Sequence, residues 1–284
     1  MLECVPNVSE GRDHDVLDAL TDACGSSLLD RHVDADHHRS VFTLAGPGAL
    51  DARDSVRRLA LEVADCVDLA RHRGAHPRFG ALDVVPFVAL TGDVDAVDAA
   101  HDFASWVASE LAVPVFLYDG ADRAARSLPD ARATAFGTRA PDLGPTSPHP
   151  RLGAVAVGAR APLVAVNCVL DRDDIALARA VASWVRERDG GLPGVRALGL
   201  RLDSVSRVQV SMNLVALERT GLEAACDAVR ACARTSGADV VAVELVGLLP
   251  AAELARSSSD FLAWAAIGPG QTIEARLAAR RGEQ

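Results

Sequence analysis

The sequence predicts an α/β (α+β) protein of two subdomains, residues 1–160 and 161–284, each built around a β-α-β-β-α-β unit. Three observations predict it. Short apolar runs alternate with stretches whose apolar residues recur at helical spacing. Turn-forming residues separate them at regular intervals. The same order of elements then occurs twice.

In the first half, Leu2–Pro6 reads as a strand, and Asp13–Cys24 as a helix that ends at Gly25. Ser27–Val33 and Ser40–Ala45 read as strands joined by a polar turn. Ala49–Val67 has the spacing of a long amphipathic helix. Leu82–Leu90 reads as a strand in which Pro86 suggests an edge or a bend. The second half repeats the order: Leu163–Val169, a helix over Asp173–Arg186, Val195–Asp203, Arg207–Leu214, a helix over Gly221–Thr235, and Asp239–Val246. Asn7 and Asn167 occupy the first strand of each half, and both last strands contain Asp-Val-Val. Such units form mixed or antiparallel sheets with helices on one face. The economical arrangement is two facing sheets with helices outside and a ligand between.

Composition narrows the function. The 284 residues are 49% hydrophobic, which excludes a disordered chain. With 39 acidic and 29 basic residues the net charge is −10, so nucleic acid is not an expected partner. Every basic residue is arginine, and an anionic ligand would need a local arginine cluster. No apolar run reaches the ~18 residues of a membrane span, and the start has no signal-peptide pattern. The expected location is the cytoplasm. The six cysteines lack C-x-x-C spacing and read as reduced thiols.

Three stretches break the rhythm. RHRGAHPRFGALD, residues 71–83, replaces a joint that takes only Ser236-Gly237-Ala238 in the second half. Function concentrates on such loops. His76 could carry protons near neutral pH, and Arg73 and Arg78 could bind a carboxylate. Composition alone leaves a solvated turn, acid–base catalysis and metal binding all open. The turn His32–Arg39 adds Asp34, which could orient His76, along with Asp36, His37 and His38. No spacing matches a zinc motif, so no metal is expected. Residues 140–160, rich in proline and glycine, read as a stiff extended loop, either a linker or a surface for something flat.

ECVPNVSEG, DADHHRSVFTLAG, RHRGAHPRFGALDVVPF, APDLGPTSPHPRLGAVAVGAR and QVSMNL, in this order along nearly the whole chain, resemble the formiminotransferase family. That family comprises glutamate formimidoyltransferases, alone or fused to a cyclodeaminase. The resemblance implies a dimer that transfers a formimino group from N-formimino-L-glutamate to N5 of tetrahydrofolate, the co-substrate. It implies His76 as the base, assisted by Asp34. It implies a folate-contacting loop over Gly144, Pro145, Thr146, Ser147, Pro148, His149, Pro150, Arg151, Leu152 and Gly153. Some relatives carry an aromatic residue at Leu152, where it could stack on the pterin. A separate cyclodeaminase is expected to process the product. Rival readings are the same transfer from another one-carbon donor (formylglutamate, formiminoglycine or a specialised-metabolism amine), a metal-dependent hydrolase, and a non-catalytic folate or small-ligand module.

Overall fold

A computed structural model describes residues 1–46, 49–73, 78–92 and 94–282. The chain falls into two compact units, residues 1–160 and 161–284.

Unit one begins with the β-α-β-β-α-β order read from the sequence. The first strand is split at Val5-Pro6 into β1 (Leu2–Cys4) and β2 (Asn7–Val8). Helix α1 (His14–Cys24) starts where Asp13 accepts from the amides of Asp15 and Val16, and it stops at Gly25, whose φ is 62°. Strands β3 (Leu28–Asp34) and β4 (Arg39–Ala45) form a hairpin, followed by α2 (Ala49–Cys66) and β5 (Leu82–Ala89). Pro86 occupies neither an edge nor a bend. It sits inside β5, and its carbonyl accepts from Val5 N at 3.1 Å, at the break between β1 and β2. The gap in the neighbouring strand is what lets an interior strand do without this N–H.

The chain then adds α3 (Ala96–Glu110), β6 (Val115–Asp119), α4 (Leu128–Thr134) and β7 (Val155–Ala159). Strands β6 and β7 pair in parallel, and β7 pairs in parallel with β5. Among the described residues the sheet is seven-stranded and mixed, with β5 in its interior. The extended loop expected over residues 140–160 therefore ends in a strand, VAVGA, with all five residues buried. Helices α1 to α3 share one core with the sheet, whereas Ala131 of α4 packs in a second cluster with Val84, Tyr118 and Ala156.

Unit two follows the expected order: β8 (Val164–Leu170), α5 (Ile175–Val185), β9 (Val195–Leu202), β10 (Arg207–Leu214), α6 (Leu222–Thr235) and β11 (Val240–Val246). The sheet is antiparallel in the order β11-β8-β10-β9. Alternation sends Val164, Val166, Cys168 and Leu170 into the core with the helices and puts Asn167 on the other face. There Asn167 Nδ2 donates to Glu244 Oε2 at 2.8 Å. Short helices α7 (Ala251–Ala255), α8 (Ser259–Ala265) and α9 (Ile273–Gly282) close the unit. No helix among the described residues is long and apolar enough to cross a membrane.

Candidate active site

The β3–β4 hairpin tip is the first fixed point. Asp34 accepts from the His37 amide at 2.8 Å and meets His37 Nδ1 at 2.5 Å. This is how a short aspartate closes a turn on its own backbone. His37 is buried at 6% exposure, and His38 takes up the left-handed backbone at φ 51°. Burial opposes ionisation of Asp34, but the hydrogen bonds from the His37 ring and amide outweigh it and hold the carboxyl below its ordinary value. Within the described residues, then, Asp34 orients His37.

The SEG motif seats this tip. Glu10 accepts from the amides of Gly11, Arg12 and Asp13 at 2.8, 2.7 and 3.0 Å, and the Gly11 amide also donates to His38 Nδ1 at 3.1 Å. A Cβ on Gly11 would lie 2.4 Å from the Asp34 carbonyl oxygen, so the hairpin can approach only a glycine.

Residues 71–73 and 78–83 are the two arms of the dense loop. His76, with Gly74, Ala75 and Pro77, lies outside the described residues. The first arm is tied to the hairpin tip. The His72 and His38 rings stack with centroids 4.0 Å apart, and His72 Nε2 donates to the His38 carbonyl at 2.9 Å. Arg78 Nη1 lies against both nitrogens of the His72 ring. Arg78 Nη2 also reaches the His37 carbonyl at 3.4 Å. The hairpin's two carbonyls thus bind one residue from each arm. Arg73 is exposed, with Nη1 3.4 Å from the His72 carbonyl.

Burial pushes His72 from 6.5 down to about 4; the bond to His38 opposes this and Arg78 reinforces it. The unfolded ring therefore binds its proton at higher pH than the folded one. Stability is unaffected by this group above 6.5 and declines as pH falls from there through about 4. An NMR titration should show the His72 ring unchanged from about pH 8 to about pH 5. A midpoint above 6 would rule out the neutral bridge.

The second arm is tied to a carboxylate that composition did not single out. Asp83 in β5 is 0% exposed. It receives Arg39 Nη1 at 2.6 Å, Arg132 Nη2 at 2.5 Å and the backbone N–H of Phe79. Burial alone would raise its pKa, yet the Arg39 and Arg132 guanidiniums, helped by the Phe79 amide, hold it below the usual carboxylate value. Arg39 also forks onto Asn7 Oδ1 at 3.1 and 2.9 Å. An aspartate inside the apolar run LDVVPF was the available signal, because an unpaired charge is rarely buried there.

Residues 140–153 meet the second arm through backbone. Gly80 and Gly153 form a bridge. A Cβ on Gly80 would lie 2.1 Å from the Ala154 carbonyl oxygen, and one on Gly153 would lie 2.5 Å from that of Phe79. His149 and Gly153 exchange backbone hydrogen bonds at 2.8 and 2.9 Å. His149 Nδ1 accepts from the amides of Arg151 and Leu152 at 3.3 and 3.0 Å, which fixes the turn from within. Arg151 Nη2 donates to the carbonyls of Ala64 and Asp65, each at 3.2 Å, and anchors the turn to α2. Leu152 is 7% exposed in the core of unit one, pointing away from solvent. Gly144, Pro145, Thr146, Ser147, Pro148 and Pro150 are exposed. Among the described residues, no group of three or more His, Cys, Asp or Glu side chains is placed to hold a metal ion.

Comparison with known proteins agrees with this layout. The family described as formiminotransferase domain, N-terminal subdomain, matches residues 1–160, and the formiminotransferase domain matches residues 165–266. A glutamate formimidoyltransferase of Streptococcus pyogenes serotype M1 is 37% identical over 89% of this chain and 90% of its own length. One from Thermoplasma acidophilum is 36% identical over 98% of this chain and 97% of its own. A formimidoyltransferase-cyclodeaminase of Sus scrofa is 36% identical over 88% of this chain, which accounts for 50% of that longer protein. Since the two matched domains cover residues 1–160 and 165–266, and since two relatives at 36–37% identity match along most of this chain and most of their own length, the chain belongs to the formiminotransferase family.

Proposed function

We propose that this protein transfers a formimino group from N-formimino-L-glutamate to N5 of tetrahydrofolate, giving 5-formiminotetrahydrofolate and glutamate. The observation that carries the reading is the near-full-length likeness to two proteins named glutamate formimidoyltransferase. The bond formed joins N5 to the formimino carbon, and the bond broken joins that carbon to the glutamate nitrogen. The attacking amine must lose a proton and the departing amine must gain one. His76 takes both roles in turn, as base and then as acid. Asp34 supports it through the hairpin tip that holds His72 and Arg78. Arg73 and Arg78 attract the donor's carboxylates. Residues 144–153 bind folate through their exposed members. Much of the rate comes from holding two substrates in register.

The same reading makes the protein a cytoplasmic homodimer. It assigns the next step, loss of ammonia and ring closure of the formimino adduct, to a cyclodeaminase activity. The test is direct. Protein, tetrahydrofolate and formiminoglutamate should release glutamate, and acid should generate methenyl-folate absorbance in equal amount. Glutamate release that does not depend on tetrahydrofolate would mean hydrolysis and overturn the proposal.

A further inference from the structure

We propose, resting on the transfer reading above for the identity of the ligand, that His149 is a positioning residue for folate: its Nδ1 holds the turn that sets the folate-contacting stretch against both ends of the dense loop.

The stretch is fastened at its ends and open in its middle. At its start Leu143 exchanges backbone hydrogen bonds with Val115 of β6 at 3.0 and 3.5 Å. Gly144 follows in the left-handed backbone at φ 83°, and a Cβ there would lie 2.8 Å from the Val113 carbonyl oxygen. Pro145 and Pro148 have no N–H to give. Among the described residues, Thr146 and Ser147 have no hydrogen-bond partner. All four are exposed. The path of residues 145–148 is therefore set where the chain re-enters the fold, over residues 149–153.

His149 makes four hydrogen bonds inside that turn. Its N–H and carbonyl pair with Gly153 at 2.8 and 2.9 Å, and its Nδ1 accepts from the amides of Arg151 and Leu152 at 3.3 and 3.0 Å. The backbone pair survives a change of side chain. The other two bonds need an acceptor at the Nδ1 position. A backbone N–H can only donate, so Nδ1 is the accepting nitrogen and the neutral ring carries its proton on Nε2. The Leu152 amide is part-buried, which makes a lost acceptor costly.

The same three residues grip the loop from outside. Leu69 N donates to the Arg151 carbonyl at 2.9 Å, Ala81 N donates to the Leu152 carbonyl at 2.9 Å, and Ala154 N donates to the Phe79 carbonyl at 3.2 Å. Leu69 precedes residues 72–78, and Phe79 and Ala81 follow them. One imidazole acceptor thus fixes the exit of the folate stretch and the spacing of both loop ends to it.

Two substitutions separate this role from direct contact with a ligand. In His149→Asn the amide oxygen stands where Nδ1 stood, and in His149→Gln it stands near Nε2. Tetrahydrofolate should bind the asparagine variant within ~3-fold of wild type, and the glutamine variant at least ~10-fold more weakly, in calorimetry. In turnover the glutamine variant should raise the folate KM by a similar factor and leave the donor KM unchanged. Without ligand, the Arg151 and Leu152 amides should exchange with solvent at least ~10-fold faster in the glutamine variant and at the wild-type rate in the asparagine variant. Weak binding by asparagine with wild-type binding by glutamine would overturn the role, because it would place the working nitrogen at Nε2. Equal binding by all three proteins, or unchanged amide exchange in the glutamine variant, would overturn it as well. The expected order of folate binding and exchange, in a protein that releases no glutamate, would support the positioning role and refute the transfer reading.

Discussion

Replacing His76 with alanine is expected to lower turnover at least ~100-fold while tetrahydrofolate still binds. The reaction moves a proton off one amine and onto another, and near neutral pH imidazole is the side chain suited to both steps. Three of the other histidines of the two dense stretches are occupied. His37 is buried against Asp34 at 2.5 Å. His38 accepts from the Gly11 amide and stacks on His72. His72 spends its Nε2 proton on a carbonyl, and burial pushes its pKa down to about 4, too low for a base near neutrality. Pre-steady-state rates, with folate binding followed in parallel, check the prediction. Turnover within ~3-fold of wild type would remove His76 from the chemistry. Loss of folate binding along with turnover would instead give it a binding role.

What the sequence made legible follows from where the controlling forces lie. The β-α-β-β-α-β order was readable in both halves because local period and local caps set it: Asp13 and Gly25 bound α1, and alternation in Val164–Leu170 divides the core face from the other. Strand β7 was hidden because VAVGA is short, small-sided and set in a run of proline and glycine. What makes it a strand is its parallel pairing with β5 and β6, dozens of residues away. Pro86 misled because its tolerance depends on a break in another strand. At the site, residue types were visible and partnerships were not. An aspartate among histidines announces a charged turn, but whether it meets His37 or His76 is decided by the hairpin's geometry. Arg132 lies on a seven-residue helix whose importance appears only when Asp83 is found beneath it.

Asp83→Ala is expected to destabilise the protein by about 3–5 kcal/mol, the usual cost of removing one partner from a buried ion pair. The change leaves two guanidiniums facing one another with no carboxylate between them and releases the Phe79 amide. For a unit of this size that should lower the melting temperature on the order of 10 °C. Asp83→Asn should cost less, because an amide oxygen still accepts. The acid limb gives a second readout. The folded carboxyl titrates below its ordinary value, so its contribution is present above the unfolded pKa and lost as pH falls through the folded one. Wild type should therefore lose stability below about pH 4, and Asp83→Asn should lose less over the same range. A cycle with Arg132→Gln separates the charge pair from general packing. Removing both groups should cost clearly less than the sum of the single losses, because the second substitution relieves the charge the first one stranded. Strict additivity would mean that the carboxylate and the guanidinium stabilise the fold independently, and the second arm of the loop would then need another anchor.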